Sequence, residues 1–381
     1  MIPEEYELLL LAALSGGRSD RATLSAELIS AGDFNWDHLY DLAEYHAVRL
    51  QLDAFLSGSG LYGKTPDDFA GKLQGACRKN LLDQLDSARE FFRIRDRIAG
   101  ENLRAIPFKG FTLAENYYGG LAGRETSDTD LFICYADLPA IGKVMAGAGY
   151  RVGAPFLEKP DPKDCEYSYG LFEGGRCISF TEFHWRVAPD GFGLDITLDE
   201  LSSQIIMDEI QGQPAEVFSH AASLLLTVMH HGGKDAFAKL KQVSDIARML
   251  NSREETDYQW LLKTAEKYGC LSLLAVSARL ASVLTGMTVP GWIADPAGVR
   301  RIRRLAENRV RTLAIAPAYR RRLSCQVSDW VFRIRSRDGL GIRIRLAWRF
   351  IRKVLLPWLV PVKLHHLFMR KYITPDYARE V

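Results

Sequence analysis

Asp128 and Asp130 stand two residues apart at the head of an apolar run, Leu131-Phe132-Ile133. In a strand, that spacing places both carboxylates on one face. Such a pair repels itself unless a cation lies between. Downstream, Glu182 sits in Ile178-Ser179-Phe180-Thr181-Glu182-Phe183-His184-Trp185, a run rich in β-branched and aromatic residues. It shares a face with Phe180 and Ile178, where a lone carboxylate would be costly to bury. Three acids on neighbouring strands suit Mg²⁺, a hard ion that takes carboxylate and phosphate oxygens. Two such ions about 3.5–4 Å apart can clamp the attacking and leaving oxygens of a displacement at phosphorus. The expectation is that Asp128 and Asp130 serve both metals and Glu182 the one nearer an acceptor hydroxyl, with Mn²⁺ able to replace Mg²⁺. Glu182, Asp130 or the metal itself could lower the pKa of that hydroxyl.

Lys109-Gly110 lies upstream. A glycine there permits close backbone approach to a phosphate, and the amides of a following helix can bind anions. Lys109 and Arg124 are candidates for the β- and γ-phosphates, and Thr112 for a hydroxyl contact. Lys241 is a further phosphate candidate, although four-residue spacing from Asp245 reads first as an intrahelical pair. His184 and His230 are candidate substrate contacts, set against the common case of a histidine satisfied inside a core.

These residues need a scaffold. Asn35 reads as a cap for a helix with Leu39, Leu42, Ala43, His46 and Leu50 on one stripe. A long helix is expected over 66–99, with Phe69, Leu73, Cys77, Leu81, Leu85, Ala88, Phe92 and Ile98 inward and Gly100 as its stop. A short apolar segment at 104–108, a helix at 112–118, a strand at 128–135, a helix at 137–148 and a hairpin over 167–187 make a small mixed sheet with helices on it. From about Leu198 the chain reads as helical again, with Ser219 capping 220–231, then helices at 234–250, 258–268 and 271–284. The fold class is therefore α+β. The expected division is a helical region at 1–100, an α/β core at 101–190 and a helical region at 191–381 with a basic tail.

Composition adds bounds. The 381 residues carry a net charge of +2, which points to no particular partner. Six scattered cysteines lack zinc-like spacing, the start Met1-Ile2-Pro3-Glu4-Glu5 is acidic, and no run of about 18 apolar residues exists. A cytoplasmic protein without a transmembrane segment is expected. The segment 300–353 holds 17 Lys and Arg against Glu307, Asp329 and Asp338, with Arg320-Arg321-Arg322 densest. It reads as a solvated helical face, as a groove for a polyanion such as RNA, or as a membrane-surface element. Trp348, Phe350, Leu355, Leu356 and Trp358 favour the last reading, and Pro357 and Pro361 oppose it.

At Lys109-Gly110, Tyr117 or Tyr118, Arg124, Asp128, Asp130, Gly149-Tyr150 and Glu182-Phe183-His184-Trp185, the chain resembles the nucleotidyltransferase superfamily, whose fold polymerase-β-like enzymes and kanamycin nucleotidyltransferase share. It looks most like the branch of uncharacterised bacterial nucleotidyltransferases found beside peptide and polysaccharide biosynthesis genes. In that branch a His-rich helical element with a later Asp corresponds to His230, His231 and Asp245. The resemblance implies Mg²⁺-dependent transfer of a nucleoside monophosphate from a nucleoside triphosphate, with pyrophosphate released. The acceptor it implies is a hydroxyl or phosphate on a natural-product peptide or saccharide precursor. Nucleotidylation of a protein or tRNA by a toxin–antitoxin enzyme, and a non-catalytic nucleotide-binding module, are the alternatives. Gly110 lies 18 positions before Asp128, whereas the superfamily usually places its glycine pair about ten before.

Overall fold

The computed structural model describes residues 3–14, 21–30, 34–126, 128–152, 160–293, 299–314 and 322–355. Five helices come first: α1 (Glu4–Ala13), α2 (Arg21–Ser30), α3 (Trp36–His46), α4 (Arg49–Gly58) and the long α5 (Asp67–Gly100). Asn35 caps α3 as expected, its side chain accepting from the His38 amide at 2.9 Å. Pro66 precedes α5, and Asp67 and Asp68 place negative charge at its positive end.

The middle of the chain builds the sheet from β1 (Ile106–Pro107), β2 (Thr129–Phe132), β3 (Arg151–Val152), β4 (Glu166–Glu173) and β5 (Arg176–His184). Helix α6 (Phe111–Tyr118) follows β1, and α7 (Leu138–Gly147) follows β2. Strand order is β1-β2-β5-β4-β3, with β2 and β5 parallel and the other pairs antiparallel. The mixed sheet with helices on it is thus as the sequence indicated.

Beyond it come α8 (Leu198–Leu201), β6 (Ile205–Ile210), β7 (Gln213–Phe218), α9 (His220–Val228), a wide turn at Met229–Lys234, α10 (Leu240–Leu250), α11 (Tyr258–Lys267) and α12 (Leu271–Thr285). The last three helices are α13 (Val299–Leu313), α14 (Leu323–Arg335) and α15 (Leu340–Phe350). Among the described residues no single helix is long and apolar enough to cross a membrane.

Three expectations need correction. Residues 205–218 form a hairpin rather than helix, turning at Gln211 and Gly212, both with positive φ. That backbone suits the hairpin twist, but Gln is a weak signal for it beside Asn or Asp. In α5, Leu85 is exposed and Gln84 is buried. The Gln84 amide donates to the Leu121 and Arg124 carbonyls at 2.7 Å, so a hydrogen-bonding demand overrides the apolar stripe. Finally, α10 begins at Leu240 and not at Lys234, because the chain unwinds through the wide turn and through positive φ at Ala236 and Phe237.

The two faces of the sheet differ in what they meet. Leu131, Phe183, Tyr167 and Tyr169 pack with Phe91 and Phe92 of α5 and Ile141 and Met145 of α7. Ile106, Phe108 and Phe132 join a larger cluster shared by helices from the first hundred residues and from beyond 191. Strand alternation therefore assigns one face to α5 and α7 and leaves the other for polar groups beside α9 and α10.

Candidate active site

Strand register assembles the polar face. Asp130 lies opposite Glu182 across the parallel β2–β5 pair, and Phe132 lies opposite His184. Across β4–β5, Glu182 faces Ser168 and His184 faces Glu166. Asp130, Glu182, His184 and Glu166 thus converge from three adjacent strands. The Asp130, Glu182 and His184 ligand atoms lie within 4.8 Å of one another. Asp128 sits just before β2 and is half-buried.

Within this group His184 is the hub. Its Nε2 is 2.8 Å from Asp130 Oδ1 and 3.5 Å from Glu182 Oε2, while Nδ1 is 3.3 Å from Glu166 Oε2. Burial opposes a charge on the ring, but its bonds to Asp130 and Glu182 outweigh that and hold its pKa above the ordinary value. Lys109 Nζ sits 2.8 Å from Asp130 Oδ1. Burial alone would raise the Asp130 pKa, yet Lys109 and His184 hold it far below the usual carboxylate range. Asp128 goes the other way. Burial, and then the Asp130 charge, push its carboxyl up to about 6.

Glu166 was not anticipated from the sequence. Its Oε2 is 2.8 Å from Lys234 Nζ, and despite burial the charges of His184 and Lys234 bring its carboxyl down to about 2. A bulge explains the omission. At the turn Glu173 pairs with Arg176, a register that, continued unbroken, would set Glu166 opposite Phe183 on the apolar face. The register shifts between Leu171 and Phe172, so Glu166 meets His184 instead.

A second network braces the loop carrying Lys109. Gly110 has φ +65°, and a Cβ there would approach Asp128 O and Thr126 Cγ2 to 3.2 Å. The Arg124 guanidinium is buried and donates through Nη1 to Gly110 O at 3.2 Å and Thr126 Oγ1 at 3.0 Å. Its Nε and Nη2 grip both oxygens of Asp245 at 2.7 and 2.8 Å. Asp245 also accepts from Tyr118 Oη at 2.7 Å and lies 2.8 Å from His231 Nε2. His231 Nδ1 is 3.3 Å from His230 Nδ1, and His230 Nε2 is 3.2 Å from Lys109 Nζ. The polar chain therefore closes on itself, from Asp130 through Lys109, the two histidines, Asp245 and Arg124 back to Gly110.

This placement revises several expectations. Arg124 braces the Gly110 turn and is directed at Asp245 rather than outward to a phosphate. Asp245 pairs with Arg124 across the fold and not with Lys241, whose Nζ donates to Glu125 O at 3.3 Å. Burial and the nearby Arg124 charge bring Lys241 down to about 8. Thr112 is buried in the first turn of α6 and donates to Lys109 O at 2.8 Å. Burial, then Lys109 and Lys234, push His230 well below its ordinary pKa, so it stands neutral beside Lys109. Of the basic tail, Arg320, Arg321, Leu356, Pro357, Trp358 and Pro361 lie outside the described residues.

Among the described residues, two groups have the donor types and spacing to hold a metal: Asp130, Glu182 and His184, and separately His230, His231 and Asp235. The first offers two carboxylates beside a third, Asp128, and suits a hard ion. A search of curated proteins finds no match. The family model described as an uncharacterised nucleotidyltransferase matches residues 32–286. With well over half its length matched across the sheet, the acid cluster and the Arg124–Asp245 brace, the chain belongs to the uncharacterised nucleotidyltransferase family.

Proposed function

We propose that the protein transfers a nucleoside monophosphate from a nucleoside triphosphate to an acceptor hydroxyl or phosphate. Family membership supports nucleotidyl transfer in general. The observation that carries the reading is the pairing of Asp130 with Glu182 across parallel strands, beside an Asp128 whose carboxyl is pushed up to about 6. Three acids held together against their own repulsion fit a divalent cation. Asp128, Asp130 and Glu182 would hold Mg²⁺, which when bound neutralises triphosphate charge and lowers the pKa of the acceptor hydroxyl.

The protein's own groups have separate tasks. Lys109 carries positive charge at the end of β1, and the α6 N-terminus beyond Gly110 faces incoming phosphate with its amides. Lys241 adds charge from α10. The Arg124–Asp245 pair fixes the Gly110 turn, and Lys234 with Glu166 orients His184. In the transfer, the acceptor oxygen bonds to the α-phosphorus as the bond from that phosphorus to the α–β bridging oxygen breaks. Its electron pair leaves with pyrophosphate. Lys109 and His184 hold Asp130 too acidic to be an effective base, so its part is to hold the cation. A natural-product peptide or saccharide precursor is the favoured acceptor, by resemblance alone.

The test is Mg²⁺-dependent pyrophosphate release with ATP, GTP, CTP and UTP in turn, in the presence of candidate acceptors. Release by the wild type, lost in Asp128→Ala and Asp130→Ala, supports the reading. Identical behaviour of all three proteins removes it. Label appearing in protein or tRNA would redirect the acceptor to a macromolecule.

A further inference from the structure

Among the described residues, helix α15 is seated through one side. Leu346 and, in the following turn, Val354 are buried, and Phe350 packs against the core with its ring 5.9 Å from that of Trp330. Arg349 lies over the Phe192 ring at 4.8 Å and donates to the Asp190 carbonyl, and Arg343 Nε donates to Arg337 O at 2.8 Å. The helix is thus fixed to the body of the protein. On its other side Leu340, Ile344 and Trp348, with Ile351 of the turn that follows, are 73%, 59%, 61% and 37% exposed. Steps of four, four and three residues align them in one stripe. By the same geometry Arg345 and Arg352 border the stripe on one flank, while Arg343 is committed to the Arg337 carbonyl on the seated side.

Single exposed leucines are ordinary, but a row of four large apolar side chains along one anchored helix and the turn that follows it is not. We propose that this face docks in the plane of an anionic lipid surface. The apolar row supplies what an interfacial helix inserts, the arginines match negative headgroups, and Trp348 suits the boundary depth. A nucleic-acid surface would be met by a continuous face of arginines, whereas here the centre of the exposed face is Leu340, Ile344 and Trp348, with exposed arginines along its flank. The helix is already folded and seated, so docking carries no cost of ordering it. The proposal is independent of the nucleotidyl-transfer reading.

The test is flotation of the full chain with vesicles of phosphatidylcholine alone and of phosphatidylcholine mixed with phosphatidylglycerol. The wild type floats with the mixed vesicles and not with the neutral ones, and salt reverses it. Each of Arg345→Gln and Arg352→Gln weakens binding about fivefold, and Ile344→Asp and Trp348→Ala abolish flotation. These side chains face outward, so circular dichroism and thermal melting of the variants match the wild type. Failure of the wild type to float overturns the proposal, as does flotation that Ile344→Asp leaves unchanged. So does a dimer dissolved by Ile344→Asp, which would assign the face to a second copy. RNA binding abolished by Ile344→Asp, with no vesicle binding, would assign it to nucleic acid.

Discussion

Replacing Asp245 by Asn keeps the side chain's shape and removes its charge. Arg124 is then left buried with no carboxylate, and its guanidinium cannot shed a proton. Asp245 is 1% exposed and Arg124 3%, and two charge-assisted bonds join them. Breaking one side of such a buried pair costs about 3–5 kcal/mol. The reverse change, Arg124→Met, costs less. The Asp245 carboxylate keeps Tyr118 and His231 as hydrogen-bond partners. About 2–3 kcal/mol is expected, the range for breaking a charged hydrogen-bonded pair whose remaining charge stays partnered. The double variant Arg124→Met/Asp245→Asn removes both charges and recovers part of the loss, giving a coupling of at least about 1 kcal/mol. Urea denaturation followed by fluorescence reads all three, with midpoints compared at equal slope. If Asp245→Asn lies within about 1 kcal/mol of the wild type, a surface-like value, the pair is not the buried brace described. If the two single variants add without coupling, the pairing itself is refuted.

Two further outcomes follow from the site geometry. Gly110→Ala forces a Cβ into a backbone with φ +65° and against Asp128 O at 3.2 Å. A stability loss of about 1–3 kcal/mol is expected, with a raised KM for the triphosphate, and an unchanged denaturation midpoint contradicts the strain. Metal binding should also follow pH. With the Asp128 carboxyl pushed up to about 6, acidification through that value protonates it and the proton competes with the ion. Mn²⁺ affinity, measured by calorimetry, is therefore expected to fall as pH drops below about 6, by at most about tenfold per unit. Asp130, held far lower, adds no step in that range. Flat affinity from about pH 7 to about pH 5 excludes Asp128 as a ligand.

Much of the sheet was readable because strands carry a strict alternation. The spacing of Asp128 and Asp130 and the face of Glu182 followed from it, and Asn35 and Ser219 announced their caps by residue type. What escaped depends on contacts that local pattern does not carry. The bulge near Leu171 flips Glu166 to the polar face, and Ile178, next to the shift, is an exposed residue with no signature of its own. The partner of Asp245 is 121 residues away, and its four-residue distance from Lys241 offered a local alternative that tertiary packing overrode. The same holds for Arg124, whose charge suggested phosphate until its burial against Asp245 gave it another partner.

The most direct measurement is the anomalous scattering of Mn²⁺ in crystals grown with a non-hydrolysable nucleoside triphosphate. A peak coordinated by the Asp130 and Glu182 carboxylates, with Asp128 and triphosphate oxygens completing it, is the expected result. A peak at His230, His231 and Asp235 with none between Asp130 and Glu182, or triphosphate bound away from these acids, would contradict it.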